Sequence, residues 1–381
     1  MKVVLFCHSI ASCWNHGNAH FLRGVARELS RLGNQVVVYE PADGWSRTNL
    51  LQDHGAGAIE EGSRVVPGVE TQTYGREGPD LNEALDGADL VLVHEWTDPD
   101  LVAQIGERRI RGGRFLLLFH DTHHRAVTAP HEIEQFDLEG YDAVLAFGEV
   151  LREVYVERGW GRRASTWHEA ADTALFCPDP GAPKDRDLIW IGNWGDGERD
   201  QELQQFLIEP VSALGLTTRI HGVRYPAETR ARLQDHGIEY CGWLPNHKVP
   251  EAFARARVTV HIPRRPYVEA LPGIPTIRMF EALACGIPLV SAPWDDVEGL
   301  FASGTYMTAR NTSEMTATLD LSLRDTAFAE ELTRAGVQCI QARHTCRHRV
   351  EQLLEIIEDL GTVALQVVRD DQWQTKKVAA T

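Results

Sequence analysis

No Cys-x-x-Cys pair occurs in the 381 residues. The seven cysteines, Cys7, Cys13, Cys177, Cys241, Cys285, Cys339 and Cys346, are odd in number and irregular in spacing. That excludes a disulfide framework and predicts free thiols in a reducing compartment. No apolar run approaches the ~20 residues that span a bilayer. Met1-Lys2 leads at once into Val3–Phe6, too short and poorly flanked a stretch for a secretory leader. Positive charge is in deficit: the formal net charge is −17, which excludes general electrostatic binding of nucleic acid. No block of like charge forms a tail, and no short-period repeat is present. The expectation is a soluble, cytoplasmic globular protein with no transmembrane segment. Its hydrophobic fraction of 43% is ordinary, and its length predicts two domains.

Apolar runs and helical periodicity alternate along the chain. Lys2–Phe6 reads as a strand buried on both faces. Phe21, Leu22, Val25, Ala26, Leu29 and Leu32 then recur at helical spacing up to Gly33. Further strands are expected at Val36–Tyr39, Asp89–Val93, Phe115–Phe119 and Ala143–Phe147. The Pro- and charge-rich segment 168–187 interrupts the pattern. It restarts with Leu188–Ile191, a helix around Leu203–Leu214, and strands at Thr218–His221, Ile238–Cys241, Val258–Ile262 and Pro288–Ser291. The expected fold class is α/β, two Rossmann-like domains with parallel sheets facing a central cleft. Their expected extents are 1–170 and 171–345, with the segment of about 346–381 packing back on the first.

Ligands of such sheets bind beyond the carboxyl ends of the strands, so candidates lie directly after strands. The first loop lacks a full G-x-G-x-x-G, which argues against a redox dinucleotide enzyme. It keeps Gly17 at the predicted start of the first helix, with His16 and Asn18 beside it; Asn18 also reads as a plain N-cap. Glu95 and His120 follow the third and fourth strands, where a structural histidine is equally natural. The cluster His120, His123, His124 lacks a convincing tetrahedral set, and no Asp-x-Asp follows a strand in the right place. No metal site is therefore expected. In "IWIGNWGDGERDQE", Gly192 and Asn193 precede Arg199. The guanidinium either meets a diphosphate or pairs with Glu198 or Asp200. Arg264 offers another counter-charge. In "GIPTIRMFEALACGIPLVSAP", Pro275 or Thr276 opens an apolar helix carrying Arg278 and Glu281 on one face. An i,i+3 surface pair there is worth only ~0.2–0.5 kcal/mol, and a charged pair on so apolar a helix fits a cleft better.

Those residues carry a resemblance. "RMFEALACGIPLVS" resembles the glutamate-alanine-x-alanine-x-glycine-x-proline signature of GT-B glycosyltransferases. "IEYCGWLPNHKVPEAFARARVTVHIPR" resembles their base-binding loop, helix and strand, and "HEAADTALFCP" their interdomain crossover. The closest kinship is to retaining family four and to the spore-maturation-type enzymes. The resemblance implies roles. Glu281 would hold the ribose of a nucleotide sugar, and Gly242, Trp243 and Leu244 its base. Thr276, Ile277 and Arg278 would approach the diphosphate. His120 would face the donor sugar and acceptor, with Gly17 by the reaction centre. One departure stands out: Gly273 occupies the position, eight residues before Glu281, where the family often has a second glutamate.

The expected activity is transfer of a sugar from a UDP- or GDP-linked donor, the co-substrate, to an acceptor the sequence does not identify. Transfer is expected to be metal-independent, with retention and no other cofactor. The alternative is a GT-B nucleotide-sugar epimerase or a catalytically silent sugar-nucleotide-binding subunit, which the glycine at 273 keeps open. Fold alone does not decide between them. Trp14, Trp96, Trp194 and Trp243 lie in expected cleft loops, for sugar stacking or rim packing.

Overall fold

The computed structural model describes residues 1–195 and 197–361. Its strands form two sheets, both wholly parallel. The first runs β3-β2-β1-β4-β5-β6-β7, with β1 at Lys2–Phe6, β2 at Gln35–Pro41, β3 at Glu70–Tyr74, β4 at Leu90–His94, β5 at Leu116–Asp121, β6 at Ala143–Ala146 and β7 at Ala164–Thr166. The second runs β10-β9-β8-β11-β12-β13, with β8 at Arg186–Ile191, β9 at Thr218–His221, β10 at Glu239–Tyr240, β11 at Ala256–His261, β12 at Leu289–Ser291 and β13 at Met307–Thr308.

Period-two alternation sends successive side chains of each central strand into opposite helical layers. Val3 and Leu5 join Phe21, Val25 and Leu29 of the Gly17–Arg31 helix, while Val4 and Phe6 join Val102 and Ile105 of the Pro99–Ile110 helix. Both faces are covered, so these strands read as continuous apolar runs. The strand order reverses beside β1 and beside β8. Each sheet thus opens a crevice beyond those strands.

Three sequence expectations shift. Strands β4 and β5 run on to His94 and to Asp121. His120 therefore lies inside a strand, not in the loop after it. The helix expected around Leu203–Leu214 is Asp200–Leu203, a π-turn at Gln204–Ile208, and Glu209–Leu214. Pro210, with no N–H to donate, sits where the ladder is irregular. The edge strand β3, "ETQTY", has no apolar run and was not expected.

After β7 the chain crosses between domains along a pinned path. Trp167 Nε1 donates to Arg349 O at 2.8 Å, and Ala171 N donates to His344 O at 2.9 Å. Helical residues 346–361 then lie against the first domain: Gln352 Nε2 donates to Thr166 O at 3.1 Å, and Cys346 packs at Phe21 O. Residues 362–381, the rest of the expected return segment, fall outside the described residues.

Candidate active site

The two crevices face each other across a cavity of about 500 Å³. Its first wall is the loop after β1. Glu40, wholly buried at the end of β2, shapes that loop by accepting from Ala11 N and Ser12 Oγ, both at 2.6 Å, and from Ile10 N. Cys13, Trp14, His16, Gly17, Asn18 and His20 consequently line the cavity. Asn18 donates to Thr122 Oγ1 at 2.5 Å and touches His94 Nε2. Gly17 faces the other domain: a Cβ on it would stand 3.5 Å from Ile277 Cγ2. His16 is fully buried and its pKa is held well below the ordinary imidazole value by burial, so it is neutral.

The facing wall follows β8. Gly192, Asn193 and Arg199 line it. Neither Glu198 nor Asp200 pairs with Arg199, whose guanidinium is instead clamped by main-chain oxygens. Nη2 donates to Asn193 O at 2.6 Å and Nη1 to Ile262 O at 3.1 Å. The group lies 5.3 Å over the Trp190 ring. Gly195, at φ +95°, lets the loop turn under it: a Cβ there would meet Arg199 Cγ at 2.8 Å. Burial, reinforced by Arg264, pulls the pKa of Arg199 down to about 10. Arg264 also lines the cavity and pairs with Glu198 at 3.1 Å.

Thr276 is the N-cap of the Ile277–Ala284 helix, and its hydroxyl lies 3.1 Å from His261 Nε2. Its side chain therefore caps none of the first N–H groups of the helix. Thr276, Ile277 and Arg278 line the cavity. One turn on, Glu281 is buried and does not. Its carboxylate accepts from Asn246 Nδ2 at 2.9 Å and from Arg278, and His20 Nδ1 of the first domain stands 3.0 Å away. Burial opposes its ionisation, but Arg278 and His20 outweigh that and hold its pKa below the usual carboxylate value. The i,i+3 ion pair weighed in the sequence does form. It is buried rather than on the surface, and it is shared with the other domain. Trp243 and Leu244 line the cavity, whereas Gly242 does not; Trp243 Nε1 donates to Trp14 O at 2.5 Å, and its ring stacks on His54 at 4.1 Å.

Two expected catalytic groups are not brought to the cavity. His120, within β5, points into the core between Phe21 and Trp167, with ring centroids 5.9 and 4.8 Å away, and both ring nitrogens lack a partner. Its pKa is lowered to about 3 by burial. Glu95 is buried behind Trp96, accepting from Arg125; burial and then Asp121 raise its pKa to about 8. Alternation along β5 turns His120 into the layer of Leu118, against Phe21 and Trp167, while Glu95, one residue past β4, is held by Arg125.

The sequence reading passed over Glu169, His20 and Asn246. Glu169 is a carboxylate between the wholly buried Trp167 and Ala170, which is its one local signal. It is the one carboxyl that lines the cavity among the described residues. The absent glutamate at 273 also has a physical reason. Gly273 stands at φ +91°, and a Cβ there would meet Glu298 Cγ at 2.9 Å and Val297 Cγ2 at 3.0 Å. Trp194 lies away from this cavity, while Trp14, Trp45, Trp96 and Trp243 line it.

Residues 199–355 match the family described as glycosyl transferase-like. The fold is GT-B. Sucrose-phosphate synthase from Thermosynechococcus elongatus superposes with a TM-score of 0.64 at 14% identity, over 95% of this chain and 99% of that one. Anabaena HepE in complex with UDP-glucose gives 0.66 at 13%, over 94% and 100%. T4 phage BGT in complex with its UDP-glucose substrate gives 0.59 at 11%, over 94% and 99%. No curated protein matches in sequence. Among the described residues no helix is long and apolar enough to cross a membrane.

Proposed function

We propose that this GT-B protein transfers a sugar from a nucleoside diphosphate sugar to an acceptor hydroxyl, without a metal ion and with retention of anomeric configuration. Arg199 carries the reading. It is 8% exposed, held by two carbonyls, and has no carboxylate partner among the described residues. A buried cation with no counter-charge is costly, and an anionic ligand would supply what the fold withholds. Arg264, Arg278 and the first turn of the Ile277–Ala284 helix line the same cavity. Together they suit a diphosphate.

The hard step in such a transfer is departure of the diphosphate. Fixed cations and helix N–H groups aimed at the developing charge lower that barrier without reorganising. Arginines in this role supply the counter-charge that a metal would otherwise bring. Glu281 is assigned to the ribose, exchanging its Asn246 and Arg278 contacts for hydroxyls, and Gly242–Leu244 to the base. His16, Gly17 and Asn18 form the acceptor side. Retention rests on the resemblance of "RMFEALACGIPLVS". The seven unpaired cysteines favour a reducing, cytoplasmic setting.

The UDP-glucose bound by HepE and by BGT makes that donor the first to try. A thermal-shift screen of UDP, GDP and their sugars, followed by product analysis with and without EDTA, tests the proposal. One nucleotide should raise the melting temperature, and transfer should proceed unchanged in EDTA. Conversion of donor without acceptor would indicate an epimerase, and stabilisation without any conversion a silent binding subunit. No stabilisation by any nucleotide would sink the reading.

A further inference from the structure

We propose that Glu169 binds the hydroxyls of the transferred sugar and so makes the site select a sugar nucleotide over the bare nucleotide. The inference rests on the nucleotide-sugar reading above.

The crossover presents this residue rigidly. On one side Trp167 is tied to Arg349 O at 2.8 Å; His168 lies 2.7 Å from Glu298 Oε2, and its carbonyl accepts from Arg349 Nε at 2.9 Å. On the other side Ala170 and Ala171 are wholly buried. Glu169 is left with the cavity as its free direction. It is 7% exposed, lines the cavity, and forms no ion pair with any described residue. The one group offered to it is the N–H of Ile277. Ile277 itself packs within reach of Gly17 across the cleft, so Glu169 sits where the two walls converge.

Charge then sorts the cavity. A diphosphate belongs with Arg199, Arg264 and Arg278, counter-charges that a carboxyl does not supply. A ligand that carries hydroxyls next to its diphosphate supplies donors to a carboxyl at this place. An unpaired buried carboxyl is expensive, and bound hydroxyls relieve that cost. Gly273 leaves no space for a side chain, so no carboxylate can come from there. Among the described residues Glu169 is the one carboxyl positioned to meet the sugar.

Calorimetry of the full chain with two ligand pairs, UDP against UDP-glucose and GDP against GDP-mannose, tests this on wild type, Glu169→Gln and Glu169→Ala. For the pair that binds wild type, Glu169→Ala should keep bare-nucleotide affinity within twofold and lose at least tenfold for the sugar nucleotide. Glu169→Gln, which keeps one acceptor, should fall between. Retained nucleotide binding also shows that the variants fold. Equal loss for both ligands, or no loss for either, overturns the proposal. So does a fall in kcat with both affinities unchanged, which would make Glu169 a proton acceptor instead. If wild type binds no nucleotide, the nucleotide-sugar reading fails and this inference falls with it.

Discussion

Arg278 and Glu281 meet one turn apart on a single helix, the guanidinium donating to the carboxylate, while His20 of the opposite domain approaches the other carboxylate oxygen at 3.0 Å. Glu281 is thus a joint between the domains as well as a candidate ribose ligand. Removing it takes the acceptor from Asn246 and Arg278 and the counter-charge from His20. Breaking a buried pair in this way costs roughly 3–5 kcal/mol. Glu281→Ala should therefore melt several degrees lower than wild type and bind nucleotide at least tenfold more weakly by calorimetry. Affinity within twofold of wild type would remove Glu281 from the site.

Gly273 is fixed by its conformation, and restoring a glutamate there should not create a sugar contact. A left-handed residue with a Cβ costs roughly 1–2 kcal/mol. Beyond that, the new Cβ collides with Glu298. Glu298 accepts from Glu149 N at 2.9 Å and lies 2.7 Å from His168, so its displacement loosens another interdomain contact. Gly273→Ala should lower the melting temperature, Gly273→Glu should lower it further, and neither should raise the rate of transfer. A Gly273→Glu protein that is as stable as wild type and faster would refute this account.

How much of this was legible beforehand depended on the range of the interaction. The apolar runs of β1, β4 and β8 and the periodicity of the Gly17–Arg31 helix are local, and they placed the sheets, the loops and most cavity-lining residues. His120 was misplaced because the strand runs two residues past Phe119, so alternation sends its side chain into the layer of Leu118, and apolar content does not fix that end. The carbonyl clamp on Arg199 was invisible, since main-chain oxygens carry no sequence signal. Nothing in local spacing brings His20 to Glu281 or Glu169 to Ile277, because these contacts exist only once two domains close on each other.

The stability contributed by Glu169 and His20 should fall as pH rises through the neutral range, and the sign follows from the raised pKa of each. Burial, then the charge of Glu281, lifts the pKa of Glu169 to about 8 from an ordinary 4.5. The folded state therefore holds that proton more tightly than the unfolded chain. The contribution of Glu169 declines from about pH 4.5 up to about pH 8. For His20, burial lowers the pKa, but Glu281 and Cys13 together more than offset it and the net shift is upward from 6.5. Its contribution is complete below pH 6.5 and is lost as pH rises through the raised value. Both act in one direction. Melting curves between pH 5 and pH 8 should show wild type losing stability relative to Glu169→Gln, and the gap between wild type and His20→Gln narrowing toward alkaline pH. Parallel curves for all three proteins would contradict both shifts.

Arg199 separates binding from stability most sharply. Its guanidinium is held by Asn193 O and Ile262 O and pairs with no carboxylate among the described residues. Replacing it therefore strands two carbonyls but also removes an uncompensated buried charge. These effects oppose each other, so the unliganded Arg199→Met protein should melt within a few degrees of wild type. Nucleotide binding has no such compensation, since the diphosphate loses its buried partner. A charge-assisted hydrogen bond is worth ~1.5–3 kcal/mol, so affinity should fall at least tenfold. Arg199→Lys keeps the charge on a single head that cannot span both carbonyls and a phosphate, and should recover only part of the loss. Calorimetry and melting curves on the same samples read both quantities. An Arg199→Met protein that melts far below wild type yet binds nucleotide normally would show that the clamp serves the fold and not the ligand.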